Sequence, residues 1–215
     1  MDNKLLKWLL GLIISMVVIM GVEVGILISN TVDKKDNYSL MIHRENIELM
    51  YEGARADLVQ CIDSTMRVYA PTTCMNGLEI LRQCEKYNVD IFFVLAQGHI
   101  ESHFGTKGLA LRTNSVFNVF AFDGQDYNQI SAKGKYSHPD LSIEPYLKLL
   151  TTRYLVNGKS EIDMMNKYID VNGKRYATSK EYELNLTNMY QRYTTNDTLM
   201  EAYKQYIKYK ILAGK

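Results

Sequence analysis

Three regimes of hydrophobic patterning follow one another along the chain. From Trp8 to Ser29 the run WLLGLIISMVVIMGVEVGILIS is apolar with a single charge, Glu23. As a helix it would span about 33 Å, against roughly 30 Å for a bilayer core, so it predicts a membrane-crossing helix. The apolar stretch continues past Gly21 and Gly25 without an Ala-x-Ala-type site, the pattern of an uncleaved signal anchor rather than a cleaved leader. Lys4 and Lys7 precede the span and Lys34 and Lys35 follow it, so flanking charge leaves its orientation open.

After a polar linker, the second regime reads as a helix from about Leu40 to Val68. Ile47, Tyr51, Ala54, Leu58, Cys61, Thr65 and Val68 recur at alternating spacings of four and three, a heptad-like seam. Such a seam predicts either a self-associating stalk or a helix packed on the following domain. Pro71 and the threonines of APTTC end it.

The third regime has the size of one domain. NGLEILRQCEKY is amphipathic, with Leu78, Leu81 and Cys84 inward and Asn76 as the starting cap. VDIFFVLAQGHIESHFG is apolar nearly all round, hence a buried helix, with Gly105 as the expected C-cap. Aromatic runs such as VFNVFAF, alternating with DGQ and KGK, predict an irregular lobe with short strands between Gly108 and Ser137. Helical periodicity then returns, with a tight turn at Asn172 to Lys174. The expected organisation is an anchor and linker (1–36), a stalk or packing helix (37–74) and a mostly helical α+β domain (75–215).

Composition narrows the functional classes. The 215 residues are 47% hydrophobic and 23% charged, as in a folded protein, and a formal net charge of +1 argues against a nucleic-acid partner. Cys61, Cys74 and Cys84 are odd in number and contain no CxxC pair, which disfavours a zinc knuckle and leaves disulfide pairing open.

The stretch QGHIESHFG raises a metal question, because His99 and His103 share a helix face. In the HExxH zinc motif the glutamate directly follows the first histidine. Here the order is HIESH, which turns Glu101 to the opposite side, so neither a metal nor another cofactor is expected. A glutamic acid at the end of a buried helix suits a different task, donating a proton to a leaving oxygen as in glycoside hydrolysis.

Four segments in order resemble one family. Ala96, Gln97, Glu101, Ser102, Phe104 and Gly105, followed by Asn114, Val116 and Phe117, are similar to the pattern of the peptidoglycan N-acetylglucosaminidases of glycoside hydrolase family 73. Tyr136, Ser142, Tyr146 and Leu150 resemble the segment after that family's β-lobe. Tyr176, Ala177, Thr178 and Tyr182 resemble its tyrosine-alanine-threonine motif. The resemblance covers roughly Asn76 to Leu186. It departs from the pattern at Ser115, in place of the second asparagine of a pair, at Asn118, in place of a glycine, and at Ser179 and Lys180, in place of aspartate-proline.

The resemblance implies a lysozyme-like α+β fold with a small β-lobe and Glu101 as general acid. It implies Tyr176 as a second catalytic residue, positioning the sugar or polarising its acetamido group, and Ser102, Asn114, Phe117, Tyr146 and Thr178 as substrate-binding residues. The second carboxylate stays open among Asp123, Asp126, Asp140 and Glu144, and Phe117, Phe120 and Phe122 offer faces for sugar stacking. The implied substrate is the β-1,4 glycan strand of peptidoglycan, cut after N-acetylglucosamine. A muramidase or lytic transglycosylase on the same fold is the near alternative, and an inactive wall-binding or virion protein the distant one. Peptidoglycan lies outside the membrane, so residues 8–29 would anchor the chain with its catalytic domain on the periplasmic or extracellular side. Alternatively, the chain would be a phage virion component. Self-association through 40–68, or membership of an envelope or virion assembly, is the remaining partner expectation.

Overall fold

A computed structural model of the protein describes residues 39–121, 124–179 and 181–215, with Met20 and Glu23 as isolated positions. The apolar run 8–29 therefore lies outside the described residues, apart from those two. Among the described residues no helix is long and apolar enough to cross a membrane.

Residues 39–69 form one helix, α1. Its buried positions are Tyr51, Ala54, Leu58, Ile62, Thr65, Met66 and, just beyond, Ala70. The stripe thus follows the heptad pattern to Leu58 and then drifts by one residue. Cys61 is only half-buried and Val68 is 75% exposed, because a straight helix turns about 20° past a strict seven-residue repeat every two turns. Leu58, Ile62 and Met66 join the same core as Phe93 and Leu95, so this helix packs on the domain that follows.

The helix α2 (Gly77–Tyr87) starts where Asn76 accepts a hydrogen bond from the Leu78 amide and ends at Asn88 in the left-handed region. Its first residue touches α1 directly. The Gly77 amide donates to Asp63 Oδ1 at 2.7 Å, and a Cβ on Gly77 would lie 2.9 Å from the Val59 carbonyl oxygen. Only glycine allows that approach.

The core helix α3 (Ile91–Ser102) is capped by Asp90 and ends two residues earlier than the sequence suggests. Gly105 was the expected cap, yet His103 (φ 48°) is the first left-handed residue, followed by Phe104 (54°) and Gly105 (82°). The His103 and Phe104 amides satisfy the His99 and Gly98 carbonyls at 2.8 and 2.9 Å. Burial of the Phe104 ring, 1% exposed, offsets the unfavourable backbone at that residue.

Beyond the short α4 (Ala110–Thr113), the expected strands do not form among the described residues. Asn114, Asn118 and Phe120 all have positive φ, and amides close locally, Asn118 onto Ser115 and Ala121 onto Asn118. Successive tight turns use up the backbone groups that a sheet would need. Among the described residues β-structure is confined to one isolated antiparallel bridge, Ile169 to Arg175. Gly173 (φ 77°) turns that hairpin, and Asp170 Oδ1 accepts the Asn172 and Lys174 amides at 2.8 Å each.

The remaining elements are α5 (Ile143–Leu149), which widens into a π-helical turn at Leu150–Tyr154, then α6 (Glu161–Asn166), α7 (Tyr182–Thr194) and α8 (Asp197–Leu212). α7 packs on α3 through Tyr190, whose hydroxyl donates to Asp90 at 2.6 Å, and through Tyr193 against His99. α8 closes back on the first two helices, with Tyr206 bonded to Glu85 and its ring 6.0 Å from that of Tyr51. All three cysteines are free thiols, and burial pushes the Cys84 thiol far up.

Candidate active site

Glu101 occupies the last turn of α3, half-buried, where the buried helix meets the turn-rich lobe. Two side chains from distant parts of the chain hold its carboxylate. The hydroxyl of Tyr182, at the start of α7, donates to Oε1. The amide of Asn118 donates to Oε2 at 3.0 Å and also to the Glu101 backbone carbonyl at 3.1 Å.

Beneath the carboxylate lies a layer of tyrosines. Tyr176 stacks on Tyr168 with centroids 4.5 Å apart and planes within 9°, and sits 5.7 Å from Tyr182. The Tyr176 hydroxyl donates to the Phe117 carbonyl at 2.9 Å. Deeper still, the Tyr146 and Tyr168 hydroxyls both donate to Gln97 Oε1, at 2.6 and 2.9 Å. Burial pushes the phenol pKa of Tyr176 and Tyr182 well above the usual value, and the Glu101 charge raises both further. Tyr146 and Tyr168 are raised in the same direction, chiefly by burial. All four are neutral hydrogen-bond donors at physiological pH.

The residues expected to bind substrate have varied placements. Ser102 is buried, donating to the Val116 carbonyl and accepting from the Gly105 amide, each at 2.8 Å, so it braces the turn after Glu101. Phe117 and Tyr146 are buried as well, stacked face to face at 4.0 Å under the tyrosine layer. Asn114 (φ 54°) donates its amide to the Tyr136 carbonyl at 2.8 Å and ties the wall of the lobe together. Thr178 is exposed, and among the described phenylalanines of the lobe Phe120 presents its ring at 46% exposure.

Three of the four candidate second carboxylates are described, and all three are otherwise engaged. Asp126 caps the Asn128 and Gln129 amides in an exposed turn. Asp140 accepts from the Asn76 amide at the start of α2, with burial raising its pKa. Glu144 pairs with Lys86 at 2.5 Å, an exposed contact that lowers its pKa. Asp123 and Phe122 lie outside the described residues. A surface groove of about 460 Å³ contains Asp140, but its lining includes neither Glu101 nor the tyrosine layer.

The two histidines belong to the packing of the helix. His99 is 5% exposed, with Nδ1 2.8 Å from the Tyr193 hydroxyl and its ring 4.7 Å from both Tyr69 and His103. Burial lowers its pKa to about 4. Among the described residues no three His, Cys, Asp or Glu side chains come together as a metal site.

This geometry falls inside a stretch that comparison with known families recognises. Residues 79–195, more than half of the chain, match the glucosaminidase family model, described as mannosyl-glycoprotein endo-beta-N-acetylglucosaminidase. The chain belongs to the glucosaminidase family. It is a glycoside hydrolase of family 73, and the matched stretch holds Glu101, Asn118, Tyr176 and Tyr182 together. A comparison with curated proteins finds no match.

Within the glucosaminidase domain, sequence reasoning picked out Glu101 and Tyr176 but gave no role to Asn118, Tyr182, Tyr168 or Gln97. Tyr182 carried one signal, its place in the tyrosine-alanine-threonine segment. Asn118 carried one too, because asparagine is the residue best able to replace glycine at positive φ.

Proposed function

We propose that the protein is an endo-acting peptidoglycan hydrolase that cuts the β-1,4 glycan strand after N-acetylglucosamine. Glu101 is the general acid that protonates the leaving glycosidic oxygen. The observation that carries this reading is the placement of Glu101 within the family-matched segment. Its carboxylate is held at the end of a buried helix by two neutral donors and backed by neutral phenols. Tyr176, fixed to the Phe117 carbonyl, shapes the site beside the acid and does not exchange its own proton, given the direction of its pKa.

Asp126, Asp140 and Glu144 are committed to a turn or to α2. That leaves Asp123 or the sugar's own 2-acetamido group as the second reacting group. The apolar run 8–29 would anchor the chain with its N-terminus inside, bringing Glu101 to wall material close to the outer face of the membrane.

The test uses the full chain in detergent, acting on purified peptidoglycan. Products are reduced with borohydride and their new ends read by mass spectrometry. Reduced N-acetylglucosamine ends are expected from the wild type, and none from Glu101→Gln, which keeps the wild-type circular dichroism and melting temperature. Reduced or anhydro muramic ends would move the enzyme to the muramidase or transglycosylase class. Normal turnover by Glu101→Gln would remove Glu101 as the acid.

A further inference from the structure

We propose that Asn118 is a positioning residue that sets the rotamer and the protonation range of Glu101, an inference that rests on the general-acid reading above. The amide nitrogen of Asn118 reaches two oxygens of one residue, the Glu101 backbone carbonyl at 3.1 Å and the carboxylate Oε2 at 3.0 Å. A backbone carbonyl only accepts, so the group facing it is the NH2 end of the amide; the flipped amide would set two acceptors against each other.

The clamp depends on a backbone feature. Asn118 has φ 52°, a conformation that asparagine tolerates better than other side-chain-bearing residues, and the turn is closed by its amide onto Ser115 and by Ala121 onto its own carbonyl. Where the family pattern has glycine, this chain has a side chain that starts from the same left-handed backbone and turns onto the acid.

Two consequences follow for Glu101. With one donor on Oε2 and the Tyr182 hydroxyl at Oε1, the carboxylate plane is fixed relative to α3. A donor on the carboxylate also favours the charged form, which brings the loss of the catalytic proton to lower pH than in an enzyme lacking the clamp.

Asn118→Gly keeps the backbone conformation and removes the clamp. Its pH profile of kcat/KM is expected to retain its shape while the alkaline limb moves up by about 1 pH unit, the amount by which a hydrogen bond to a charged carboxylate exceeds one to the neutral acid. The value of kcat should fall with KM little changed. Asn118→Asp keeps the size and turn preference but sets a second carboxylate against Oε2, and should move the same limb further upward. Both variants are compared with wild type as the full chain in detergent, with melting temperatures measured alongside. Profiles that superimpose on wild type for both variants overturn the proposal and leave Glu101 as the acid. A wild type without glycan cleavage, or a Glu101→Gln variant as active as wild type, overturns the general-acid reading and this proposal with it.

Discussion

At the scale of single residues, the site is built from hydroxyls and amides around one carboxylate. Tyr182 contributes the hydroxyl on Oε1, while its ring lies 5.7 Å from that of Tyr176 and 6.0 Å from that of Tyr168. Tyr182→Phe deletes the donor and keeps the ring. A hydrogen bond to a charged group is worth about 1.5–3 kcal/mol, so the variant should lose roughly 10- to 100-fold in kcat and melt several degrees lower. Release of new reducing ends and a thermal melt check both halves of that statement. Glu101 was singled out in the sequence by the family pattern around it. Its partners were not, since Asn118 and Tyr182 lie 17 and 81 positions away and no periodicity links them to it.

At the scale of elements, the contact between α3 and α7 couples the stability of the fold to pH. His99 on α3 is buried among Tyr69, His103, Phe104 and Tyr193, and the charges nearest to it, on His103, Arg192 and Lys107, all disfavour its protonation. Its native pKa is about 4, against 6.5 for the free side chain. Between those values the unfolded chain binds more protons than the native one, so stability rises with pH across the window and falls on acidification. The full window corresponds to about 3 kcal/mol. Urea unfolding of wild type at pH 7 and pH 4.5 should differ in that direction, and His99→Gln should remove most of the difference. The sequence placed His99 on a helix face; that Tyr193 closes over it is a property of the pair of helices.

At the scale of the whole molecule, the long first helix is part of the domain. Leu58, Ile62 and Met66 on α1 are fully buried, Asp63 receives the Gly77 amide, and Arg55 pairs with Glu85, which is also bonded to Tyr206 of α8. A chain beginning at residue 70 loses those side chains from the core. Each buried large apolar residue is worth about 2–5 kcal/mol when truncated to alanine, so removing several together exceeds the stability of an ordinary domain. Residues 70–215 are therefore expected to be unfolded or molten, with 39–215 folded. Near-UV circular dichroism and proteolysis of the two fragments would show it. Cooperative folding of 70–215 would refute this account of the core.

Sequence by itself determined the helices whose patterns are strong, the cap at Asn76 and the glutamate that ends α3. It also determined the family, because these are local signals and four short segments occurred in the right order. It misjudged the lobe after Gly108, where aromatic alternation suggested strands and three positive-φ residues made turns instead. It left the first helix undecided between stalk and core, because a heptad stripe looks the same whichever surface it meets. Only the tertiary structure settled which surface that was, that Ser102, Phe117 and Tyr146 support the site from below, and that Asn118 and Tyr182 grip Glu101. The physical reason is common to all of these: each depends on groups far apart in the chain meeting at hydrogen-bond or van der Waals distance, and sequence spacing carries no record of which distant groups will meet.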